Sequence, residues 1–286
     1  MLELLQGSPA AAIATAGVIG LIVGSFLNVV ILRLPVMMEY RWRREAAEIL
    51  GDSTTDADAA PPGLVAERSC CPKCSAQIRA YDNIPVVSYL LLRGRCRACG
   101  NRISLQYPLV ELATAVATAL CIWRFGMTLE GYAAVGMTWC LIALTGIDVR
   151  TQLLPDGLTL PLLWAGLLLS LAPIQVSPSQ AIVGAAAGYL SLWSVYWLFK
   201  LTTGKEGMGY GDFKLLAAIG AWLGWQILPL TILLSSVVGA VVGIALIVFR
   251  RHGRETPIPF GPYLAAAGLL SLYWGTSLTR AYLGIL

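Results

Sequence analysis

Apolar residues in this chain occur in long blocks, separated by short segments that are polar or rich in glycine and proline. Many blocks approach 20 residues, the length of helix that crosses about 30 Å of hydrocarbon. We therefore expect an all-α polytopic membrane protein. The blocks predict eight transmembrane helices, at residues 9–33, 104–124, 130–148, 154–173, 180–200, 212–225, 227–249 and 260–284.

Composition supports a membrane environment. The chain is 57% hydrophobic and 13% charged, whereas soluble proteins carry about 25% charged residues. Its net charge of +4 would suggest an anionic partner in a soluble protein, but in a membrane protein basic residues mainly set orientation. We expect membrane lipid as the surroundings and no nucleic-acid partner. The first apolar block has no basic region before it and is long enough to span, so it should remain as a helix.

Basic residues are concentrated between the first two predicted helices. The positive-inside rule places this loop in the cytoplasm, and alternation then puts both termini outside and the segments around Asp148 and Asp212 inside. The chain divides into a first transmembrane helix at 1–34, a cytoplasmic loop at 35–103 and a membrane domain at 104–286. Within the loop, residues 39–50 predict a short charged helix and residues 51–63 an acidic linker.

Four cysteines in the loop form two CxxC pairs, which is the zinc-ribbon pattern. In a cytoplasmic loop thiols stay reduced, so disulfides are the weaker interpretation, and a redox pair is a further alternative. Four protein ligands leave no open position for water, so the zinc should be structural. The predicted zinc ligands are Cys71, Cys74, Cys96 and Cys99, whereas Cys70, Cys121 and Cys140 are not expected to contribute.

Carboxylates at the edges of predicted spans are candidate functional groups, since burying them in a membrane is costly. Asp148 ends an apolar run, and Asp212 closes a Gly-Tyr-Gly-Asp segment whose glycines permit close backbone approach. We expect these two to form an aspartyl-protease dyad, in which one carboxylate takes a proton from water and the other donates to the scissile carbonyl. The alternative is that both only cap helices or mark turns.

The other acids are more ambiguous. Asp156, in a Pro-Asp-Gly turn, could cap the fourth helix, and Glu111 could be an interfacial acid or touch substrate. Glu206 could attract a basic substrate segment or be a solvated loop acid. The only histidine, His252, lies in a basic loop, so Ser-His or HExxH chemistry would lack parts.

Several motifs together resemble the bacterial type IV prepilin leader peptidases, which are membrane aspartyl proteases with a GxGD motif. The segments are GSFLNV from residue 24, the four cysteines, DNIP from 82, YPLVE from 107, Asp148 followed by LLPD, and GMGYGDFKLLAAIGAWLG from 207. The resemblance spans most of the chain. It implies that Asp148 and Asp212 are the catalytic pair, and that the substrates are prepilins and type II secretion pseudopilins.

The resemblance further implies removal of a short basic leader, after a glycine, at the cytoplasmic face of the bacterial inner membrane. Many members also N-methylate the new amino terminus with S-adenosylmethionine, an activity associated with the first loop. No strand, glycine loop and helix of the nucleotide-binding kind occurs in the sequence, so residue chemistry does not locate that cofactor. Oligomeric state is not predicted. The alternatives are a peptidase without methylation, a transporter with acidic coupling sites and a zinc-module scaffold.

Overall fold

The protein is described by a computed structural model that covers residues 8–51, 60–65, 67–172, 174–250 and 259–283. Those residues form nine α-helices and two 3-10 turns, and no β-strand occurs among them, so the all-α prediction is confirmed. The helices are α1 Pro9–Leu50, α2 Val87–Leu91, α3 Gln106–Phe125, α4 Leu129–Thr151, α5 Asp156–Leu169, α6 Pro178–Thr203, α7 Tyr210–Leu223, α8 Leu228–Arg250 and α9 Gly261–Leu283; the 3-10 turns are Ala80–Asn83 and Trp225–Ile227.

Five helical segments in the described part of the chain are long and apolar enough to cross a membrane. They are α1, α3, α4, α6 and the stretch Trp225–Leu246 that includes most of α8. Helices α5 and α7 have 14 residues each, or roughly 21 Å at 1.5 Å per residue, which is shorter than the hydrocarbon core. A multi-pass membrane protein is therefore established, while the count of eight spans stays a prediction.

Helix α1 is one continuous helix, whereas the sequence predicted a transmembrane span at residues 9–33 and a separate charged helix at 39–50. It runs without a break for 42 residues, from an N-cap at Ser8 to a left-handed C-cap at Gly51. Pro35 has no N–H to donate to the helix, and it lies buried inside α1. Membrane helices tolerate such a proline where neighbouring groups satisfy the freed carbonyl. Most of the predicted linker at 51–63 lies outside the described residues.

The chain forms two compact units, Met1–Met127 and Thr128–Leu286. The division at 34/35 and 103/104 that the sequence suggested stays a prediction. In the N-terminal unit, α1 and α3 pack through small residues. A Cβ added to Gly20 or Gly24 would lie 2.7 Å from the Cα of Ala115 or Glu111 respectively. This close approach is the small-xxx-small packing that stabilises helix pairs in membranes.

In the C-terminal unit, α7 lies at the centre, and ten of its 14 residues are buried. It meets α6 where Gly184 and Gly220 face each other, and a Cβ on either glycine would lie 2.2 Å from the other's carbonyl oxygen. Only glycine fits on both sides of this contact. The helix that carries Asp212 is thus fixed closely against its neighbour.

Candidate active site and metal centre

Asp148 lies in the last turn of α4, which ends at Thr151, and the C-cap residue Gln152 has a left-handed conformation. Its side chain is only 4% exposed, and its Oδ2 has no hydrogen-bond partner in the described part of the chain. A carboxylate near a helix C-terminus is opposed by the helix dipole. Asp148 therefore does not cap α4, and the helix gains no stability from it.

Asp212 lies in the first turn of α7, one turn inside the N-cap residue Gly209. It is 6% exposed, and the backbone N–H of Gly209 faces its carboxylate. A Cβ on Gly211 would lie 2.7 Å from the Cβ of Leu154. The glycines thus permit the close backbone approach that the sequence suggested.

The two aspartates come together in the C-terminal unit, although 63 residues separate them along the chain. Their carboxylates are near enough to repel each other electrostatically. Two neighbouring buried carboxylates cannot easily both be ionised, so such a pair holds a shared proton. This is the electrostatic arrangement that a proton-donating and a proton-accepting carboxyl require.

Gly261, the first residue of α9, is a site residue that the sequence analysis missed. A Cβ at this position would lie 2.5 Å from Asp148 Oδ2 and 3.2 Å from its Cγ. The carboxylate therefore occupies the space beside the α9 N-terminus, where the helix dipole favours a negative charge. The sequence marks Gly261 only as part of the segment Pro-Phe-Gly-Pro before the last apolar block, and this segment does not reveal that Asp148 lies beside it.

Asp156 does not cap α5 as the turn chemistry suggested. The N-cap residue is Pro155, which makes no side-chain capping bond. The Asp156 carboxylate instead accepts hydrogen bonds from Lys214 Nζ at 2.7 and 2.8 Å. Because Lys214 follows Asp212 by two residues, this ion pair ties the start of α5 to the helix that carries Asp212.

Glu206, in the loop before α7, is paired with Lys200 rather than freely solvated. Its carboxylate accepts a hydrogen bond of 2.8 Å from Lys200 Nζ, and this bond lowers the pKa of Glu206. The lysine also donates to the Tyr196 hydroxyl at 3.2 Å. The substrate-attraction hypothesis stays a prediction, and any basic ligand would have to compete with Lys200.

Glu111 lies in α3, in the N-terminal unit. It is 7% exposed, and its Oε2 accepts a hydrogen bond of 2.7 Å from the backbone N–H of Val86. Val86 has φ 59°, a conformation that is rare for a β-branched residue. A carboxylate thus holds a strained backbone in place.

The four cysteines predicted to bind zinc form one cluster. Their sulfur atoms all lie within 4.8 Å of one another, and those of Cys71 and Cys99 are 3.9 Å apart. Four thiolates around a tetrahedral ion with metal–sulfur distances of about 2.3 Å would have sulfurs about 3.8 Å apart. The cluster therefore fits a tetrahedral metal ion. Cys70, Cys121 and Cys140 lie outside it.

Both CxxC turns have the same backbone construction. Each is closed by an isolated antiparallel bridge, one between Cys70 and Gln77 and one between Arg95 and Arg102. The residue after each turn, Ser75 or Gly100, has positive φ. In the first turn the backbone N–H groups of Cys74 and Lys73 face the Cys71 sulfur and lower the pKa of its thiol to about 6. The backbone thus already favours a thiolate there.

Two contacts hold the cysteine module to the rest of its unit. Arg97, between the second pair of cysteines, binds the Asp82 carboxylate with Nε at 2.9 Å and 3.1 Å and with Nη2 at 2.6 Å. Arg33 in α1 donates to the carbonyl oxygens of Gly63, Glu67 and Arg68. The start of the module is therefore fixed to the first membrane helix.

These features define an all-helical membrane protein with a buried aspartate pair in one unit and a four-cysteine cluster in the other. Residues 18–125 match the family model described as Bacterial Peptidase A24 N-terminal domain, and residues 135–244 match the Type IV leader peptidase family. The chain belongs to the type IV leader peptidase family.

Curated relatives from three bacteria match along nearly their whole length, and each is named prepilin leader peptidase/N-methyltransferase. The Aeromonas hydrophila protein is 54% identical over 283 residues, covering 99% of this chain and 98% of the relative. The Pseudomonas aeruginosa protein is 54% identical over 283 residues, covering 99% and 97%. That of Xanthomonas campestris pv. campestris is 50% identical over 280 residues, covering 98% and 97%. No solved structure matches the chain.

Proposed function

We propose that this chain is a membrane aspartyl endopeptidase that removes the basic leader from prepilins and type II secretion pseudopilins and then N-methylates the new amino terminus. The observation that carries the peptidase part is the pairing of two buried aspartates, Asp148 and Asp212, from separate helices. The names of the relatives support both activities.

In the proposed cleavage, the ionised aspartate takes a proton from water while the water oxygen bonds to the scissile carbonyl carbon. The protonated aspartate gives its proton to the carbonyl oxygen. The intermediate carries two hydroxyl groups on the former carbonyl carbon. As its C–N bond breaks, the leaving nitrogen receives a proton from the aspartate that took one from water, and the other aspartate takes a proton from one of the two hydroxyl groups. Each aspartate thus changes protonation state, and the pair as a whole returns to its starting charge.

The excess of arginine and lysine in the loop between the first two predicted spans supports a cytoplasmic position for it. On that topology the chain crosses the bacterial inner membrane eight times, and the aspartates face the cytoplasm. A substrate with an apolar helix would lie among the spans, with its basic leader at the cytoplasmic loops. Cysteine accessibility labelling at residues 45 and 130 from each side of the membrane tests this arrangement, since the two positions should react on opposite sides.

The proposed metal is a structural zinc ion bound by Cys71, Cys74, Cys96 and Cys99, which the spacing of their sulfurs supports. The ion would supply four strong bonds to a module that contains no β-sheet and little apolar core among its described residues. Folding and metal binding are then one equilibrium, as in other small zinc modules.

Mass analysis of a prepilin incubated with the purified protein in detergent tests the function. We expect loss of the leader, followed by a mass increase of one methyl group when S-adenosylmethionine is present. Replacing Asp148 or Asp212 with asparagine should abolish cleavage with the fold intact, because an amide cannot exchange the required proton. Near wild-type cleavage by either variant would show that the pair is not catalytic.

The same measurement separates the alternatives. A peptidase without methylation would remove the leader and add no mass. A transporter or a zinc-module scaffold would leave the prepilin intact.

A further inference from the structure

The N-terminal unit contains a buried polar cluster that the proteolytic mechanism does not use. Asn28 in α1 is 2% exposed, and its Nδ2 donates to the carbonyl oxygens of Gly24 at 3.3 Å and Tyr107 at 3.1 Å. Its Oδ1 has no hydrogen-bond partner among the described residues. An unpaired acceptor in an apolar environment is costly, so it calls for a donor from outside this set.

Glu111 lies at the next level of the same helix pair. Gly24 packs directly on the Glu111 backbone, and the Ser25 hydroxyl faces the Glu111 carboxylate. Asn28 is one turn beyond Gly24, and it bonds to Tyr107, which is one turn before Glu111. The free amide oxygen and the carboxylate therefore occupy adjacent turns of one helix–helix contact.

A purely structural role does not account for a carboxylate at this position. The hydrogen bond from Val86 needs only an acceptor, which a neutral glutamine would provide without the cost of burying a charge. The positive φ of Val86 is a strained conformation, and such strain is typical of ligand-binding sites. The cluster offers two hydrogen-bond acceptors, the amide oxygen of Asn28 and the carboxylate of Glu111. A cationic ligand with N–H donors matches both.

We propose that Glu111 and Asn28 bind the α-ammonium group that leader cleavage exposes, and that Glu111 takes a proton from it before methyl transfer. This inference rests on the methyltransferase part of the proposed function. An α-ammonium group is a cation with three N–H donors, so it satisfies both the carboxylate and the unpaired amide oxygen.

The proton transfer makes the amine a nucleophile. The α-ammonium group gives one proton to Glu111, and the nitrogen lone pair then bonds to the methyl carbon of a sulfonium donor. The carbon–sulfur bond breaks with its electron pair left on sulfur. The product is a secondary ammonium group, so no further proton has to leave, and Glu111 returns its proton to water.

Peptide binding in the absence of any methyl donor tests the site independently of turnover. The probe is a synthetic peptide with the amino-terminal sequence of a mature pilin, labelled at its carboxyl end. The control is the same peptide with its amine acetylated, which removes the ammonium group. The full-length protein in detergent should bind the free-amine peptide at least about tenfold more tightly. Glu111→Gln, which keeps an acceptor for Val86, should bind both peptides equally.

Activity measurements complete the test. Glu111→Gln should cleave prepilin within about twofold of wild type and methylate at least about 100-fold more slowly, as expected on losing a general base. Glu39→Gln, at an exposed position of α1, is the matched control and should change neither reaction. Glu111→Asp keeps the charge and should restore part of the preference for the free amine.

The outcomes separate the inference from the proposed function. Retention of the free-amine preference by Glu111→Gln, or parallel loss of cleavage and methylation, would overturn the inference and leave Glu111 with a structural role. A wild-type protein that removes the leader and never adds a methyl group would instead refute the methyltransferase function itself.

Discussion

Gly261→Ala provides a sharp test of the geometry around Asp148. The new Cβ would lie 2.5 Å from Asp148 Oδ2, which is 0.9 Å short of the 3.4 Å at which ordinary contact begins. The carboxylate must therefore move by about 0.9 Å, or the start of α9 must shift. A misplacement of about 1 Å can cost roughly 100-fold in rate, which corresponds to about 2.7 kcal/mol in the barrier to cleavage.

The backbone of Gly261 does not have a positive φ, so its conformation accepts alanine. The assay is single-turnover cleavage of a prepilin by purified protein, with thermal unfolding measured on the same samples. Gly268→Ala is the matched control on α9, since its Cβ would meet the apolar side chain of Ile219, with Cδ1 at 2.8 Å, and not a catalytic residue. A Gly261→Ala rate within threefold of wild type would show that Asp148 does not depend on this contact.

Three other predictions concern the cysteine module and the helix packing. The double variant Cys74→Ser and Cys96→Ser should lose the one zinc ion expected per chain by metal analysis, and unchanged zinc would remove the site. The hydrogen bonds from Arg97 lower the pKa of Asp82. The ionised carboxylate should therefore stabilise the module fully above the unfolded-state pKa of about 4, and this stabilisation should be lost as the pH falls through the lower folded-state pKa. Limited proteolysis measures unfolding of the module, and Asp82→Asn should abolish its acid dependence. Gly220→Ala should destabilise the C-terminal unit by about 1–3 kcal/mol or more through overpacking, and an unchanged unfolding temperature would contradict the close helix contact.

Much of the helical architecture could be predicted from sequence because apolar blocks of membrane length have few alternatives to a helix. The predicted and observed helices α3, α4, α6 and α8 differ at their ends by only a few residues. The expected break between residues 33 and 39 does not occur, because α1 continues through Pro35. Proline breaks helices in water, whereas a continuous helix through a proline is tolerated in a membrane protein. Local pattern alone cannot distinguish these two outcomes.

The candidate site was predictable where its residues carry a local signal. Asp148 and Asp212 stand out because acids at the ends of apolar blocks are rare, and the cysteines stand out by their spacing. Gly261 could not be identified in this way, since its role depends on how closely the start of α9 approaches α4. The Lys200 partner of Glu206 was missed for a related reason, because only the turn of the chain after α6 brings the two side chains together.

The attachment of Arg33 to the carbonyl of Gly63 has a consequence for the architecture of related chains. Helix α1 ends at Leu50, and the chain is held to α1 again at Gly63, whose carbonyl oxygen accepts a hydrogen bond from Arg33. Loops whose ends are fixed together can change length at small entropic cost. Insertions and deletions between Gly51 and Gly63 should therefore accumulate in evolution, and this segment offers a position for inserting a tag or a reporter domain without moving the cysteine module.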